Sequence, residues 1–305
     1  MTVASRGADA LGRVVTAMVT PFLPDGALDL DGAGVLAGHL TATGSDGLVV
    51  GGTTGESPTL REEELLELVA AVRAAVPAGT RVTVGTGTND TVRTIQRTER
   101  AAAAGADAVL VVTPYYNRPS QPGLVAHFRA VAGATELPVL LYDIPSRTGR
   151  ELALSTLVTL SAVPNIVGVK DATGDLGKAG DVIAATRDAD GGFDVWSGAD
   201  EVNLPLLAIG AVGIVSVSAH LVGPELAEMV RVCTTDPVRA RSLHLACMPL
   251  HRALFSDPNP GPLKAALAAR GLPSGPLRGP LIASDPEVTA QVLAALEAIE
   301  SHRGA

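Results

Sequence analysis

The chain has 305 residues, 47% of them hydrophobic but only 3% aromatic, and a formal net charge of -9. Without clustered Lys and Arg, an acidic chain of this kind excludes nucleic acid and anionic membrane as its main partners, although one placed Arg can still receive an anionic substrate. The length suits one large domain with an appendage, and its core must be built of Ala, Val, Leu and Ile.

Met1-Thr2-Val3-Ala4-Ser5-Arg6 carries one early positive charge, and the first apolar run, 14–19, is shorter than a signal core and ends in Thr20-Pro21. No stretch approaches the ~20 apolar residues of a membrane span, so cytoplasmic residence is the default expectation. Short apolar runs at 14–20, 47–51, 82–85, 108–113, 138–142, 166–170, 193–196 and 213–217 predict eight strands. Segments between them, such as 60–76, 91–104 and 152–163, have helical spacing of apolar positions, and the unit recurs every ~30 residues.

Continuous Val/Ile/Leu runs mark strands covered on both faces, hence a parallel sheet. Eight such units predict a closed (β/α)8 TIM barrel, with an open doubly wound sheet as the alternative. Beyond Pro224 the strand pattern stops, and 224–232, 237–255, 262–270 and 286–301 predict helices punctuated by Pro and Gly. The expected organisation is a barrel over 1–223 carrying the site, and a last barrel helix with a C-terminal helical extension over 224–305. Cys233 and Cys247, fourteen positions apart on a helical stretch, read as buried small hydrophobes in a reducing compartment. The six histidines have no metal-ligand spacing; only His220 lies near a strand end, where a supporting role is expected rather than catalysis.

Barrel chemistry collects where strands end. Those positions hold Gly51-Gly52-Thr53-Thr54-Gly55-Glu56, Thr113-Pro114-Tyr115-Tyr116-Asn117, Tyr142-Asp143-Ile144-Pro145-Ser146-Arg147-Thr148-Gly149 and Lys170-Asp171-Ala172-Thr173-Gly174. All three tyrosines of the chain are in this set. Lys170 is one of three lysines against twenty arginines, in an otherwise apolar strand. Arginine stays protonated, whereas a desolvated lysine can lose its proton and attack a carbonyl. Tyr142 lies 28 residues earlier, one unit back, which places its side chain on the neighbouring strand about 4.8 Å away. A phenol there can exchange protons with the amine or its adduct. Taken singly, the glycine-rich turn could be an anion nest, the tyrosine pair rim packing and Lys170 a snorkelling strand-end charge. Their combination at one rim is what points to a Schiff-base site.

These motifs, Gly-Thr-Thr-Gly-Glu at 52–56, Thr-Pro-Tyr-Tyr-Asn-Arg-Pro-Ser at 113–120, Tyr-Asp-Ile-Pro-Ser-Arg-Thr-Gly at 142–149 and Gly-Val-Lys-Asp-Ala-Thr-Gly at 168–174, resemble the dihydrodipicolinate synthase family. The likeness runs from about Arg13 to the C-terminus. It places the chain among pyruvate-dependent class I aldolases, which include N-acetylneuraminate lyase. Arg147 and the Thr-Thr pair resemble the synthases rather than the lyases.

The resemblance implies condensation of pyruvate with L-aspartate 4-semialdehyde, in diaminopimelate and lysine biosynthesis. Lys170 would form the imine, and Tyr142 would move protons through a relay with Thr53 and with Tyr116 of a neighbouring subunit. Thr54 and Arg147 would hold the two substrate carboxylates, the latter by its bidentate fork, and Gly198 and Val215 would line the substrate. A homotetramer is implied, and no metal or organic cofactor, since the imine is the electron sink. Ser57, Asn89 and Tyr115 match an effector site for lysine. Glu62, Leu65 and Arg93 depart from it, so feedback is expected to be weak or absent. Asp143 stands where many relatives have Asn, a change expected to be tolerated. Two other readings are a sugar-acid aldolase or lyase of the same fold and a keto-acid binder without turnover. A phosphate-binding barrel is set aside, because the loops after strands seven and eight are poor in glycine.

Overall fold

The structure, a computed structural model, describes residues 6–187 and 192–303. Residues 1–5 of the signal reading, and the side chain of His302, lie outside the described residues. The strands are β1 (Val14–Ala17), β2 (Gly47–Val50), β3 (Arg81–Gly85), β4 (Ala108–Val112), β5 (Val139–Asp143), β6 (Ile166–Asp171), β7 (Asp194–Ser197) and β8 (Gly213–Ser216). All neighbours pair in parallel, and β1 also pairs with β8 through Val15↔Val215, which closes the barrel and disposes of the open-sheet alternative.

The expected first strand, 14–20, is shorter in the fold because its backbone finds other acceptors. Met18 N–H still reaches Val49 O at 3.1 Å, but Val19 N–H donates to His220 Nε2 at 3.1 Å and the Thr20 hydroxyl to Gly55 O at 2.7 Å. Expected helices agree to within about two residues: Glu62–Ala75, Thr91–Ala103 and Leu154–Ser161 surround the barrel. Asp90 shows how such a helix starts, its carboxylate accepting Arg93 N–H at 2.7 Å.

Successive strand residues face opposite sides, while residues in register face the same side. Val112, Tyr142, Lys170 and Trp196 therefore form one row into the lumen, since the register reads Val112↔Tyr142, Tyr142↔Lys170 and Lys170↔Trp196. The N-terminal end is closed by a short helix, Arg6–Leu11, that apolar periodicity did not reveal. A Cβ on Gly7 would overlap Cη2 of Trp196, whose Nε1 donates to Gly12 O at 3.0 Å. Lys170 thus stands above a filled floor and below an open rim.

The extension comprises Ala219–Val232, Pro237–Ala253, Gly261–Ala269 and Pro286–Arg303. The first of these begins before Pro224, and a kink at Val222 (φ -129°) precedes the proline, whose missing N–H would otherwise interrupt the helix. Cys233 and Cys247 prove to belong to two helices rather than one stretch: Cys233 ends Ala219–Val232 and Cys247 is buried within Pro237–Ala253. Neither forms a disulfide.

Candidate active site

Lys170 is 6% exposed, and its Nζ lies 4.1 Å from the centroid of the Tyr142 ring. The amine rests on the aromatic face. Scarcity of lysine does not by itself distinguish it, because Lys264 is equally buried and Lys178 is half-buried. What differs is the counter-charge. Lys178 pairs with Asp143 at 2.8 Å and Glu151 at 3.6 Å, and Lys264 with Glu56 at 2.6 Å. Among the described residues, no carboxylate lies within 4.0 Å of Lys170 Nζ.

The surroundings fix both side chains. Thr113 ties down the Tyr142 carbonyl through its N–H at 2.9 Å and its hydroxyl at 3.0 Å. The lysine stem passes close to Gly198, where a Cβ would sit 2.9 Å from both Cγ and Cε of Lys170. Glycine is therefore needed at 198 to leave room for the lysine's stem. Gly198 N–H donates to Asp171 O at 2.6 Å, which keeps the β7 loop against β6. Val215 is buried and lumen-facing, since it lies two residues beyond Gly213, the β8 partner of Trp196.

Thr53 and Thr54 occupy the turn after β2. Gly51 opens it with φ 65°, and the missing side chain of Gly85 lets the Gly51 carbonyl lie against β3. Thr54 is buried, its hydroxyl accepting from Asn259 Nδ2 at 3.0 Å, whereas Thr53 lines a cavity of about 300 Å³ with Ser57, Tyr115 and Arg147. Arg93 and Arg97 complete one wall. A second hollow of about 210 Å³ is bounded by Arg147 and Gly198. Arg147 thus stands between the two. It is held there by the one-turn helix Pro145–Thr148, which Gly149 ends at φ 68°. Tyr116 is not drawn into this site by its own chain: it is 89% exposed, with φ 70°. Asn89 lies to one side, its carbonyl accepting from the Asn117 amide at 2.8 Å. Among the described residues, no group of three or more His, Cys, Asp or Glu could hold a metal ion.

Residues 10–299 match the model of the dihydrodipicolinate synthetase family. The chain belongs to that family. The 4-hydroxy-tetrahydrodipicolinate synthase of Moorella thermoacetica is 50% identical over 287 residues, covering 94% of this chain and 97% of that protein. The crystal structure of a family member from Cyanidioschyzon merolae with lysine bound superposes with TM-score 0.92 at 42% identity, over 95% of this chain and 99% of that one. The chloride-inhibited dihydrodipicolinate synthase from Acinetobacter baumannii, complexed with pyruvate, gives 0.90 at 37%, over 94% and 98%.

In this member of the dihydrodipicolinate synthetase family Asp143 faces away from the lumen. Its carboxylate accepts from Lys178 at 2.8 Å and from Leu152 N–H at 3.2 Å, and burial raises its pKa while Lys178 opposes the rise. An acid at 143 is thus matched by a lysine at 178, a pairing that 35 residues of separation hid from a motif reading.

His220 has the supporting role expected of it. Its Nδ1–H faces Val217 O at 2.8 Å and Nε2 accepts from Val19, which requires the neutral ring and joins the ends of β8 and β1. Burial lowers its pKa from 6.5 to about 4. The unfolded chain then takes up a proton that the folded one refuses, so His220 stabilises fully above pH 6.5, and that contribution, on the order of 3 kcal/mol, is lost as pH falls toward 4. Urea unfolding of the wild type and His220→Asn is expected to show a stability gap that narrows between pH 7 and pH 4. A gap independent of pH would contradict the neutral, buried assignment.

Proposed function

We infer that this enzyme condenses pyruvate with L-aspartate 4-semialdehyde to give 4-hydroxy-tetrahydrodipicolinate and water, the committed chemistry of diaminopimelate and lysine synthesis. The observation that carries the mechanism is Lys170 itself: an internal amine over the Tyr142 ring, without an acid partner among the described residues, in a chain whose other lysines are both acid-paired.

In this reading Nζ adds to the keto carbon of pyruvate and water leaves, forming the imine. A proton then leaves the methyl carbon, and the resulting enamine attacks the aldehyde carbon of the semialdehyde. The semialdehyde's own amine closes the ring by displacing Lys170. Tyr142 serves as the proton carrier, with Thr53 and a neighbouring subunit's copy of Tyr116 extending the relay. The high exposure of Tyr116 supports such a crossing and, with it, a homotetramer. Thr54 takes the pyruvate carboxylate and Arg147 that of the semialdehyde, while Gly198 and Val215 shape the pocket.

We also assign the site to 1–223, the supporting extension to 224–305, and the enzyme to the cytoplasm. Among the described residues no helix is long and apolar enough to cross a membrane. A steady-state assay of pyruvate with the semialdehyde, beside sugar-acid substrates, tests the substrate assignment. Turnover only of the sugar acids would replace this reading with that of a sugar-acid lyase.

At the effector position, Ser57 and Tyr115 share their cavity with Arg93 and Arg97. Glu62, the nearby acid, is engaged by Arg93 at 3.4 Å and Arg97 at 3.5 Å. A lysine ammonium would meet two guanidiniums and an occupied carboxylate. Calorimetric titration with lysine is expected to give no binding tighter than about millimolar, near the ~4 kcal/mol level. Micromolar binding would contradict this reading.

A further inference from the structure

The C-terminal extension reaches back over the rim and grips the turn that carries Thr54. Asn259, buried and 205 residues away in sequence, donates its side-chain amide to Thr54 Oγ1 at 3.0 Å. Two residues beyond Thr54, Glu56 adopts the left-handed backbone region (φ 55°), unusual for a residue with a side chain. Its buried carboxylate is fixed from the same extension, by Lys264 Nζ at 2.6 Å and Arg278 N–H at 2.9 Å. Lys264 and Arg278 flank the Phe22 ring at 4.3 and 4.2 Å from its centroid, which joins the loop after β1 to the same clamp. The turn is therefore held from outside the barrel, at Oγ1 of Thr54 and at the side chain of Glu56.

The polarity of the Asn259 contact is what matters chemically. A hydroxyl offers one proton and two lone pairs. With the Asn259 N–H on a lone pair, the Thr54 proton is left for another acceptor, which suits recognition of a carboxylate. We propose that Asn259, backed by the Lys264–Glu56 pair, is a positioning residue that presents the Thr54 hydroxyl as a donor to the carboxylate of the 2-oxo acid. This rests on the reading that pyruvate binds at Thr54 and reacts at Lys170.

The test is borohydride trapping on Lys170 of the full-length chain across a pyruvate series, with steady-state kinetics alongside. In Asn259→Asp the new carboxylate takes the Thr54 proton and adds negative charge. Half-saturating pyruvate is expected to rise by about 10- to 100-fold, the effect of one hydrogen bond to a charged group. kcat at saturation is expected to change by less than about threefold. Asn259→Ala, which removes the donor without adding charge, is expected to shift pyruvate saturation by a smaller factor, about three- to tenfold, and keeps the test open should the Asp variant fail to fold. In a Thr54→Val background Asn259→Ala should add little, because the hydroxyl it acts through is gone, whereas the charge of Asn259→Asp still acts directly on the substrate carboxylate.

Wild-type saturation in folded Asn259→Asp would overturn the proposal, as would an Asn259→Ala shift left undiminished in the Thr54→Val background. Absence of trapping in the wild type would instead remove the Lys170 reading, and the proposal with it.

Discussion

Replacing Lys170 by Met is expected to lower turnover by roughly a thousandfold or more, since the covalent route through the imine disappears entirely. Methionine has nearly the same length and no charge, so it can lie along Gly198 as the lysine stem does, and the barrel should remain folded. Lys178 and Lys264 cannot take over, because each is held by a carboxylate at 2.8 Å or less in another part of the molecule. Measuring kcat together with the thermal midpoint separates lost chemistry from lost fold. A variant that keeps a tenth of wild-type turnover would show that the amine is not the nucleophile.

Tyr142→Phe isolates the hydroxyl. The ring stays beneath the amine and keeps its contact with Lys170 Nζ, while the group that can accept or return a proton is removed. A fall in kcat of about 10²–10⁴ is expected, the usual range for one positioned acid–base group. Borohydride trapping of pyruvate should still reach completion, only more slowly, because the amine itself is intact. Turnover within a few-fold of wild type would mean that protons travel by another path, and Thr53 would be the next side chain to change.

The barrel was legible because its physical cause is repetitive. Strands covered on both faces need unbroken apolar runs, and eight of these recur with helices between them. Limits were less legible where side chains replace the ladder, as at β1, where the ring of His220 rather than a strand partner accepts the Val19 N–H. The six-residue plug Arg6–Leu11 is too short for periodicity to register, and its place becomes clear only from Gly7 against Trp196.

Lys170 was visible for a reason that proves incomplete. Rarity of lysine flagged Lys170, yet the same rarity covers two structural lysines, and only the partners distinguish them. Those partners are set by contacts between distant segments: Asp143 with Lys178 on the outer face of the sheet, and Glu56 with Lys264 across the rim. Asn259 escaped notice for the same reason. No spacing rule links it to Thr54, and its side chain gains meaning only when the extension folds back on the turn.

The most direct test is mass spectrometry after incubating the enzyme with pyruvate and borohydride. A single reduced pyruvate adduct on the peptide containing Lys170 is the expected result, reduced in yield when the semialdehyde competes for the enamine. No adduct, or one carried by Lys178 or Lys264, would contradict the assignment of Lys170 as the group that forms the imine.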